Sequence, residues 1–137
     1  MDWPRLRYVW MHDNFFSGQI PSSMGYLSKL ESLHLENNRL SGGIPLSLQK
    51  CSGLKTLYLS VNSFTGKLPT WIGKSLVNLI FLAVHSNGFD GQIPKELCHL
   101  SSLQVLDFAR NNFSGKIPTS QKGCATLRGH AHVATSP

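Results

Sequence analysis

Three polar residues that could form a nucleophilic site recur at nearly equal spacing: Glu36, Ser60 and His85 are separated by 24 and 25 positions. A carboxylate, a hydroxyl and an imidazole together make up a Ser–His–carboxylate site. His12 and His85 are also possible nitrogen ligands for a metal ion. Whether these side chains do any chemistry depends on the elements that position them.

The equal spacing belongs to an internal repeat that covers most of the 137 residues. Five leucines start copies of the pattern L-x-x-L-x-L-x-x-N-x-L-x-G-x-I-P, at steps of 24, 24, 25 and 24 residues. The starting positions are Leu6, Leu30, Leu54, Leu79 and Leu103. The longer step has its extra residue within Gly73-Lys74-Ser75. A fixed period of this length is typical of a solenoid.

The L-x-L core of each repeat alternates with period two, so its leucines face inward and the intervening residues face outward. One such strand cannot bury its apolar face alone, and stacked copies form a parallel sheet with strands about 4.8 Å apart. Return stretches such as Ser47-Leu48-Gln49-Lys50 are too short for a full α-helix. We therefore expect an α/β solenoid with strands on the concave face and 3₁₀ turns on the convex face.

The asparagine of each repeat follows the strand, where the chain turns inward. An asparagine buried there can bond to backbone groups of its own coil and of the next coil, which predicts a structural asparagine ladder. Its members are Asn14, Asn38, Asn62, Asn87 and Asn111. The glycine permits a tight bend, and the proline stiffens an extended segment.

The L-x-G-x-I-P half of the pattern resembles the plant-type leucine-rich repeat, over residues 6 to about 118. That repeat is found in ectodomains of plant receptor-like kinases and receptor-like proteins and in polygalacturonase-inhibiting proteins. The resemblance implies a right-handed coil at the extracellular side of the plasma membrane. It also implies recognition of a peptide, carbohydrate or protein, with a possible co-receptor, in defence or development. A membrane association would come from an anchor in a longer parent chain.

The chain departs from that family in lacking a cysteine-bearing N-terminal cap, a signal peptide and a transmembrane segment, so we expect a fragment or a truncated product. The repeat array is expected over residues 1–126. Cys124 and Leu127 keep the period, but His130 and His132 fall where strand leucines should follow. Residues 127–137 are predicted to be a disordered tail.

The outward strand positions form columns on the concave face, where we expect a ligand or partner to bind. Aromatic side chains are common anchors in protein and sugar recognition. Tyr8, Trp10, Tyr58 and Phe81 form such a group. The predicted contact residues are Tyr8, Trp10, His12, His34, Glu36, Tyr58, Phe81, His85, Asp107 and Arg110.

Several other activities are disfavoured by the same geometry. Strands about 4.8 Å apart on an open sheet provide neither a Ser–His contact nor an oxyanion hole, and Glu36 would adjoin Ser60 rather than orient His85. We therefore expect no enzyme activity, no cofactor and no metal site. The net charge is +6. Only Arg110 among the concave positions is cationic, however, so nucleic acid is not an expected partner.

The remaining signals are the cysteines and one sequon. Cys51 and Cys124 occupy apolar repeat positions, whereas Cys98 precedes His99 on a turn and is expected to be the exposed thiol. Asn112 starts the sequence Asn-Phe-Ser, a glycosylation acceptor if the chain is secreted. The leading hypothesis is a binding module of a receptor-like protein. A secreted inhibitor of a wall-degrading enzyme and a non-signalling relic remain open.

Overall fold

The structure is a computed structural model that describes residues 3–118, Cys124 and the backbone of residues 132–134. The chain winds through successive coils, and each coil contributes one short strand to a six-stranded parallel sheet. Its strands lie in the order β1 (Tyr8–Trp10), β3 (Ser32–His34), β5 (Thr56–Tyr58), β7 (Phe81–Ala83), β9 (Val105–Asp107) and β11 (His132–Ala134). The predicted solenoid with parallel strands is confirmed.

The register of this sheet places equivalent residues of successive repeats side by side. Tyr8 pairs with Ser32, Ser32 with Thr56, Thr56 with Phe81, and Phe81 with Val105. A second column, two residues further on, contains Trp10, His34, Tyr58, Ala83 and Asp107. The inward residue between the two columns is Val9 in β1 and a fully buried leucine in β3, β5, β7 and β9.

A second parallel sheet, which the sequence analysis did not anticipate, follows the asparagine of each repeat. Its strands are β2 (Ser17–Gly18), β4 (Arg39–Gly42), β6 (Ser63–Lys67), β8 (Gly88–Gln92) and β10 (Asn112–Ser114). Each of these segments reaches a glycine with positive φ, between 73° and 86°. The glycine was interpreted only as a bend, but the residues before it are extended and pair with the next coil.

The convex side consists of short turns, as predicted, with one exception. The 3₁₀ turns are Trp3–Arg5, Ser22–Tyr26, Leu46–Lys50 and Lys95–His99. The repeat with the extra residue instead forms a single α-helical turn, α1 (Trp71–Ser75), in which the Leu76 N–H donates to Ile72 O at 3.1 Å. None of the helices in the described part of the chain has the length and apolarity needed to cross a bilayer.

The core lies between the two sheets and the convex turns and consists mainly of the consensus leucines. Leu30, Leu54 and Leu79 are fully buried, as are the strand leucines Leu33 and Leu57. A stack of phenylalanines extends this core, with ring centroids 6.1 Å apart for Phe64 and Phe89 and 6.4 Å apart for Phe89 and Phe113. The consensus position that is Leu40 in repeat two is phenylalanine in repeats three to five. These three rings form a continuous aromatic column.

The asparagines join neighbouring coils by hydrogen bonds to the backbone. Asn62 Nδ2 donates to Leu59 O at 3.1 Å within its own coil and to Leu35 O at 3.0 Å in the preceding coil. Its Oδ1 accepts from the Leu40 N–H at 2.9 Å. Asn38, Asn87 and Asn111 make equivalent bonds. Each of these amides therefore binds carbonyl and N–H groups that the turn leaves without strand partners.

The residue just before each ladder asparagine adopts the left-handed backbone conformation. The five residues have φ between 55° and 59° and are Asp13, Asn37, Val61, Ser86 and Arg110. Aspartate and asparagine tolerate this conformation, but a β-branched residue is strained in it. Val61 is the β-branched member, and its side chain is 43% exposed.

The cysteines differ from expectation. Cys98 is buried and forms a disulfide with Cys124, so the prediction of an exposed Cys98 thiol is wrong. The two side chains meet because the convex turns of successive coils stack directly against each other. Cys51 is the free cysteine among the described residues, and it is fully buried as predicted. Burial raises the pKa of its thiol, which keeps it unreactive.

The last strand also has a register that the sequence period did not predict. Val133 pairs with Leu106, and His132 pairs with Val105. His130 and His132 had been aligned with the leucine positions, whereas Val133 takes the place beside Leu106. The step from Leu106 to its partner in β11 is therefore longer than the repeat period. This strand lies within the segment predicted to be disordered, and the other residues of that segment lie outside the described part of the chain.

We predict that Asn62→Ala lowers the free energy of unfolding by about 3 kcal/mol, because the Leu40 N–H and the carbonyls of two coils lose their partner. Chemical denaturation followed by circular dichroism measures this change. Asn78→Ala is the matched control, since the exposed Asn78 side chain makes one bond, to Ser52 O. It should stay within about 0.5 kcal/mol. Equal losses for the two variants would contradict the ladder.

We predict that Val61→Asn raises the free energy of unfolding by about 1 kcal/mol, because asparagine relieves the left-handed strain of a β-branched residue. The same denaturation experiment measures it. The reverse change at the equivalent position, Asn37→Val, should destabilise the chain, since it introduces that strain and removes the 2.7 Å bond from Asn37 Nδ2 to Asp13 Oδ1. A neutral or destabilising Val61→Asn would show that the strain is absent.

Candidate functional site: the concave face

Aromatic and imidazole rings form a continuous line across the first four strands of the concave sheet. We call the side chains of Tyr8, Trp10, His34, Tyr58 and Phe81 the aromatic strip. Successive ring centroids are 6.3, 5.9, 4.7 and 6.4 Å apart. The strip exists because the parallel register brings the outward positions of each strand beside those of the next.

The strip is open to solvent at its beginning and becomes less exposed toward later repeats. Tyr8 is 57% exposed and Trp10 is 68% exposed, whereas His34, Tyr58 and Phe81 are half-buried. Large exposed aromatic rings are the kind of surface that anchors protein and sugar partners. All five belong to the predicted contact set, and the structure brings them together on one face.

Beside the strip, the Glu36 carboxylate lies between two imidazoles. Glu36 Oε1 is 3.3 Å from His34 Nδ1 and 3.9 Å from His12 Nδ1. His34 Nε2 is hydrogen-bonded to Ser32 Oγ at 3.0 Å. The sequence analysis included these histidines and Glu36 as contact residues but did not place them in one cluster, because it paired His12 with His85.

His12 and His85 are in fact separated by two intervening coils, since they follow β1 and β7. His85 lies beside Asp107 instead, with its Nε2 4.0 Å from Asp107 Oδ2, and its Nδ1 is 3.0 Å from Ser86 Oγ. Asp107 Oδ1 also accepts from the Ala109 N–H at 3.2 Å. Arg110 is exposed at the turn after β9.

The residues considered for nucleophilic catalysis do not form a catalytic arrangement. Ser60 was expected to face outward but is buried, 3% exposed. Its Oγ accepts a hydrogen bond from the backbone N–H of His85 at 3.1 Å. The hydroxyl therefore links two coils, and no hydrogen bond to the His85 imidazole is present among the described contacts.

A column of ion pairs at the edge of the concave sheet was not predicted from the sequence. Glu31 Oε2 lies 3.5 Å from Arg7 Nε, and Glu31 Oε1 lies 3.3 Å from Lys55 Nζ. These residues precede β1, β3 and β5 and hold alternating charges. The alternation at a 24-residue step was visible in the sequence and could have been found by extending the columns one position toward the N-terminus.

The other lysines and the sequon lie away from the aromatic strip. The lysines that are exposed outside the concave strands are Lys29, Lys50, Lys67, Lys74, Lys95 and Lys116. Asn112 is exposed at the start of β10, in the second sheet, so its side chain is accessible for glycosylation.

The phenol of Tyr58 has a raised pKa. Burial raises its pKa above 10.0, and the nearby negative charge of Glu36 raises it further. Both effects favour the neutral phenol. Tyr58 therefore presents its hydroxyl as a hydrogen-bond donor throughout the physiological pH range.

These features define a class of protein: a solenoid of short repeats that presents an open, aromatic-rich concave sheet. Comparison with sequence profiles matches the Leucine Rich Repeat family at residues 5–27, 29–51, 53–75 and 102–124. The chain belongs to this family. A search of the curated proteins gave no match.

Solved structures that resemble this chain include ectodomains of plant receptor kinases. The receptor kinase SOBIR1 ectodomain from Arabidopsis thaliana is 30% identical, with a TM-score of 0.83, over 93% of this chain and 68% of that one. The BIR3–SERK2 complex from Arabidopsis thaliana gives 32% identity and a TM-score of 0.83, over 96% and 68% of the chains. The chain is thus a leucine-rich repeat protein of the plant receptor-ectodomain type.

The match to a longer receptor spans only a small part of that receptor's length. The plant peptide hormone receptor RGFR1, solved in complex with RGF2, is 32% identical with a TM-score of 0.88. The match covers 97% of this chain but 20% of the receptor chain.

We predict that Glu36→Gln lowers the pKa of Tyr58, because it removes the negative charge that disfavours the tyrosinate. An NMR titration of the assigned Tyr58 ring measures the change. Glu31→Gln is the charge-matched control, and it should leave the pKa of Tyr58 unchanged. In the parent chain, the contribution of Tyr58 to stability is complete below pH 10.0 and is lost as pH rises through the raised folded-state value. An unchanged Tyr58 pKa in Glu36→Gln would contradict the assignment.

Proposed function

We propose that this chain is the ligand-binding module of a plant cell-surface receptor of the receptor-like protein type, and that the aromatic strip binds an extended peptide. The observation that carries the proposal is the unbroken run of rings across four neighbouring strands, with ring centroids 4.7–6.4 Å apart. The rings of the strip are not needed for the core, which lies on the other side of the sheet, and a contiguous exposed aromatic surface is typical of an interaction site.

The dimensions and chemistry of the strip suit a peptide. Four strands about 4.8 Å apart span about 14 Å, which is the length of about four residues of extended chain. Rigid aromatic rings contribute contact area at low conformational cost. The carboxylates of Glu36 and Asp107 and the imidazoles of His12 and His85 lie beside the strip and supply polar contacts for specificity.

The structural neighbours support the same class of partner. RGFR1 was solved with RGF2, and PEPR1 with AtPEP1. The BIR3–SERK2 structure is a complex of two such proteins, which supports a co-receptor as a further partner. We infer an extracellular location for this chain from the same relatives, and the exposed Asn112 is an available glycosylation site there. A role in defence or developmental signalling would follow from such a receptor.

The proposal predicts that the strip dominates peptide affinity. Peptides selected from a random display library against the purified chain would be titrated calorimetrically against the parent chain and the variants Trp10→Ala and Tyr58→Ala. Each variant should lose at least about ten-fold in affinity, because aromatic anchors contribute about 2 kcal/mol or more. Tyr26→Ala is the matched control, since Tyr26 is 73% exposed on the convex side.

Other outcomes would redirect the assignment. If Tyr26→Ala lowered affinity as much as Trp10→Ala, the concave face would not be the binding surface. If no peptide were selected and the chain instead inhibited a pectin-degrading enzyme, the secreted-inhibitor function would replace the receptor. A chain that did neither would be a non-binding relic.

A further inference from the structure

Two histidines and one glutamate at the aromatic strip, including His34 of the strip itself, have possible metal-ligand atoms close to one another. His12, His34 and Glu36 each offer one ligand atom, and the three atoms lie within 4.8 Å of one another. All three residues are half-buried. We call them the His–His–Glu cluster. They come from two neighbouring coils: His34 and Glu36 lie on one, and His12 lies on the preceding coil.

The distances within the cluster are near those of a tetrahedral zinc site. Zinc binds imidazole nitrogen and carboxylate oxygen at about 2.0–2.2 Å, which places neighbouring ligands about 3.3 Å apart. His34 Nδ1 and Glu36 Oε1 already have this separation, 3.3 Å. His12 Nδ1 is 3.9 Å from the same oxygen, about 0.6 Å beyond this separation, so its side chain must move closer when the metal binds.

The other ring nitrogen of each histidine faces an acceptor that would orient it. His34 Nε2 lies 3.0 Å from Ser32 Oγ. His12 Nε2 lies 3.9 Å from Asp13 Oδ2. Histidines that bind a metal through one nitrogen usually donate the other N–H to a carboxylate or another oxygen, and this fixes the ring. Both histidines therefore turn Nδ1 toward Glu36 and Nε2 toward a supporting oxygen.

Two atoms of the cluster lack the hydrogen bonds that their burial requires. His12 Nδ1 and Glu36 Oε2 are inaccessible to solvent and have no hydrogen-bond partner among the described residues. Buried polar atoms are almost always satisfied, so an unpaired nitrogen and an unpaired carboxylate oxygen in one cluster indicate a missing partner. A cation bound by the cluster would give His12 Nδ1 a partner and would neutralise the Glu36 carboxylate.

We propose that His12, His34 and Glu36 form a binding site for a divalent transition-metal ion, with zinc as the best match. Imidazole and carboxylate donors suit zinc, whereas magnesium and calcium prefer oxygen ligands alone. Three protein ligands leave the fourth tetrahedral position to water or to a group of a bound partner. The metal site needs only the stacking of two coils. Zinc binding therefore does not require a peptide on the aromatic strip.

The test is an isothermal titration of ZnCl₂ into the purified full chain, made without a polyhistidine tag and stripped with a chelator. The parent chain should bind one equivalent of zinc. His12→Gln, His34→Gln and Glu36→Gln should each lower the affinity by at least about ten-fold, because each removes a ligand. Ser32→Ala keeps all three ligands and should lower it by about ten-fold through loss of ring orientation.

His85→Gln is the matched control, because His85 also lies on the concave face beside a carboxylate but belongs to no group of three possible ligands among the described residues. Its zinc affinity should equal that of the parent chain, and MgCl₂ should give no comparable binding. Circular dichroism melts establish that each variant is folded, and zinc should raise the melting temperature of the parent chain but not of Glu36→Gln. Failure of the parent chain to bind one zinc would overturn the proposal, as would zinc affinities unchanged in the cluster variants.

Discussion

The fold depends on one constraint: each coil must satisfy the backbone groups of its neighbour at the point where the chain leaves the concave strand. Hydrogen bonds between neighbouring strands satisfy the backbone N–H and C=O groups of the three-residue strands. In the turn after each strand, part of the backbone still bonds to the next coil, and the asparagine amide satisfies further groups by bonding to carbonyls of two coils and an N–H of the preceding coil. This contact fixes the spacing and the register of successive coils, and every surface feature follows from that register.

The concave face is a consequence of this register. Because equivalent residues of each repeat must lie beside one another, side chains that are about 24 positions apart in sequence become neighbours about 5 Å apart in space. The aromatic strip, the Arg7–Glu31–Lys55 ion pairs and the His–His–Glu cluster all arise in this way. The core residues are nearly the same in each coil, so the protein varies its surface without changing its scaffold.

The scaffold also explains why polar side chains at equivalent positions on this face differ in burial and in the groups that they contact. Ser60 lies at a position that is outward by period, yet its hydroxyl is buried and bonded to the backbone of the next coil. Glu36 occupies the equivalent position one coil earlier and keeps one oxygen near two imidazoles. The size of the side chain decides the difference, since a serine is too short to extend beyond the turn whereas a glutamate reaches the neighbouring rings.

The sequence by itself determined the repeat, the parallel concave sheet, the leucine core and the positions of the asparagines, because a strict period combined with alternating apolar residues permits only stacked coils. It also placed the aromatic residues on one face. Only the tertiary structure decided the second sheet, the left-handed conformation at Val61, the pairing of Cys98 with Cys124, the longer step into the last strand and the meeting of His12 with His34 and Glu36. These features depend on distances between coils and on side-chain rotamers, which a one-dimensional period does not contain.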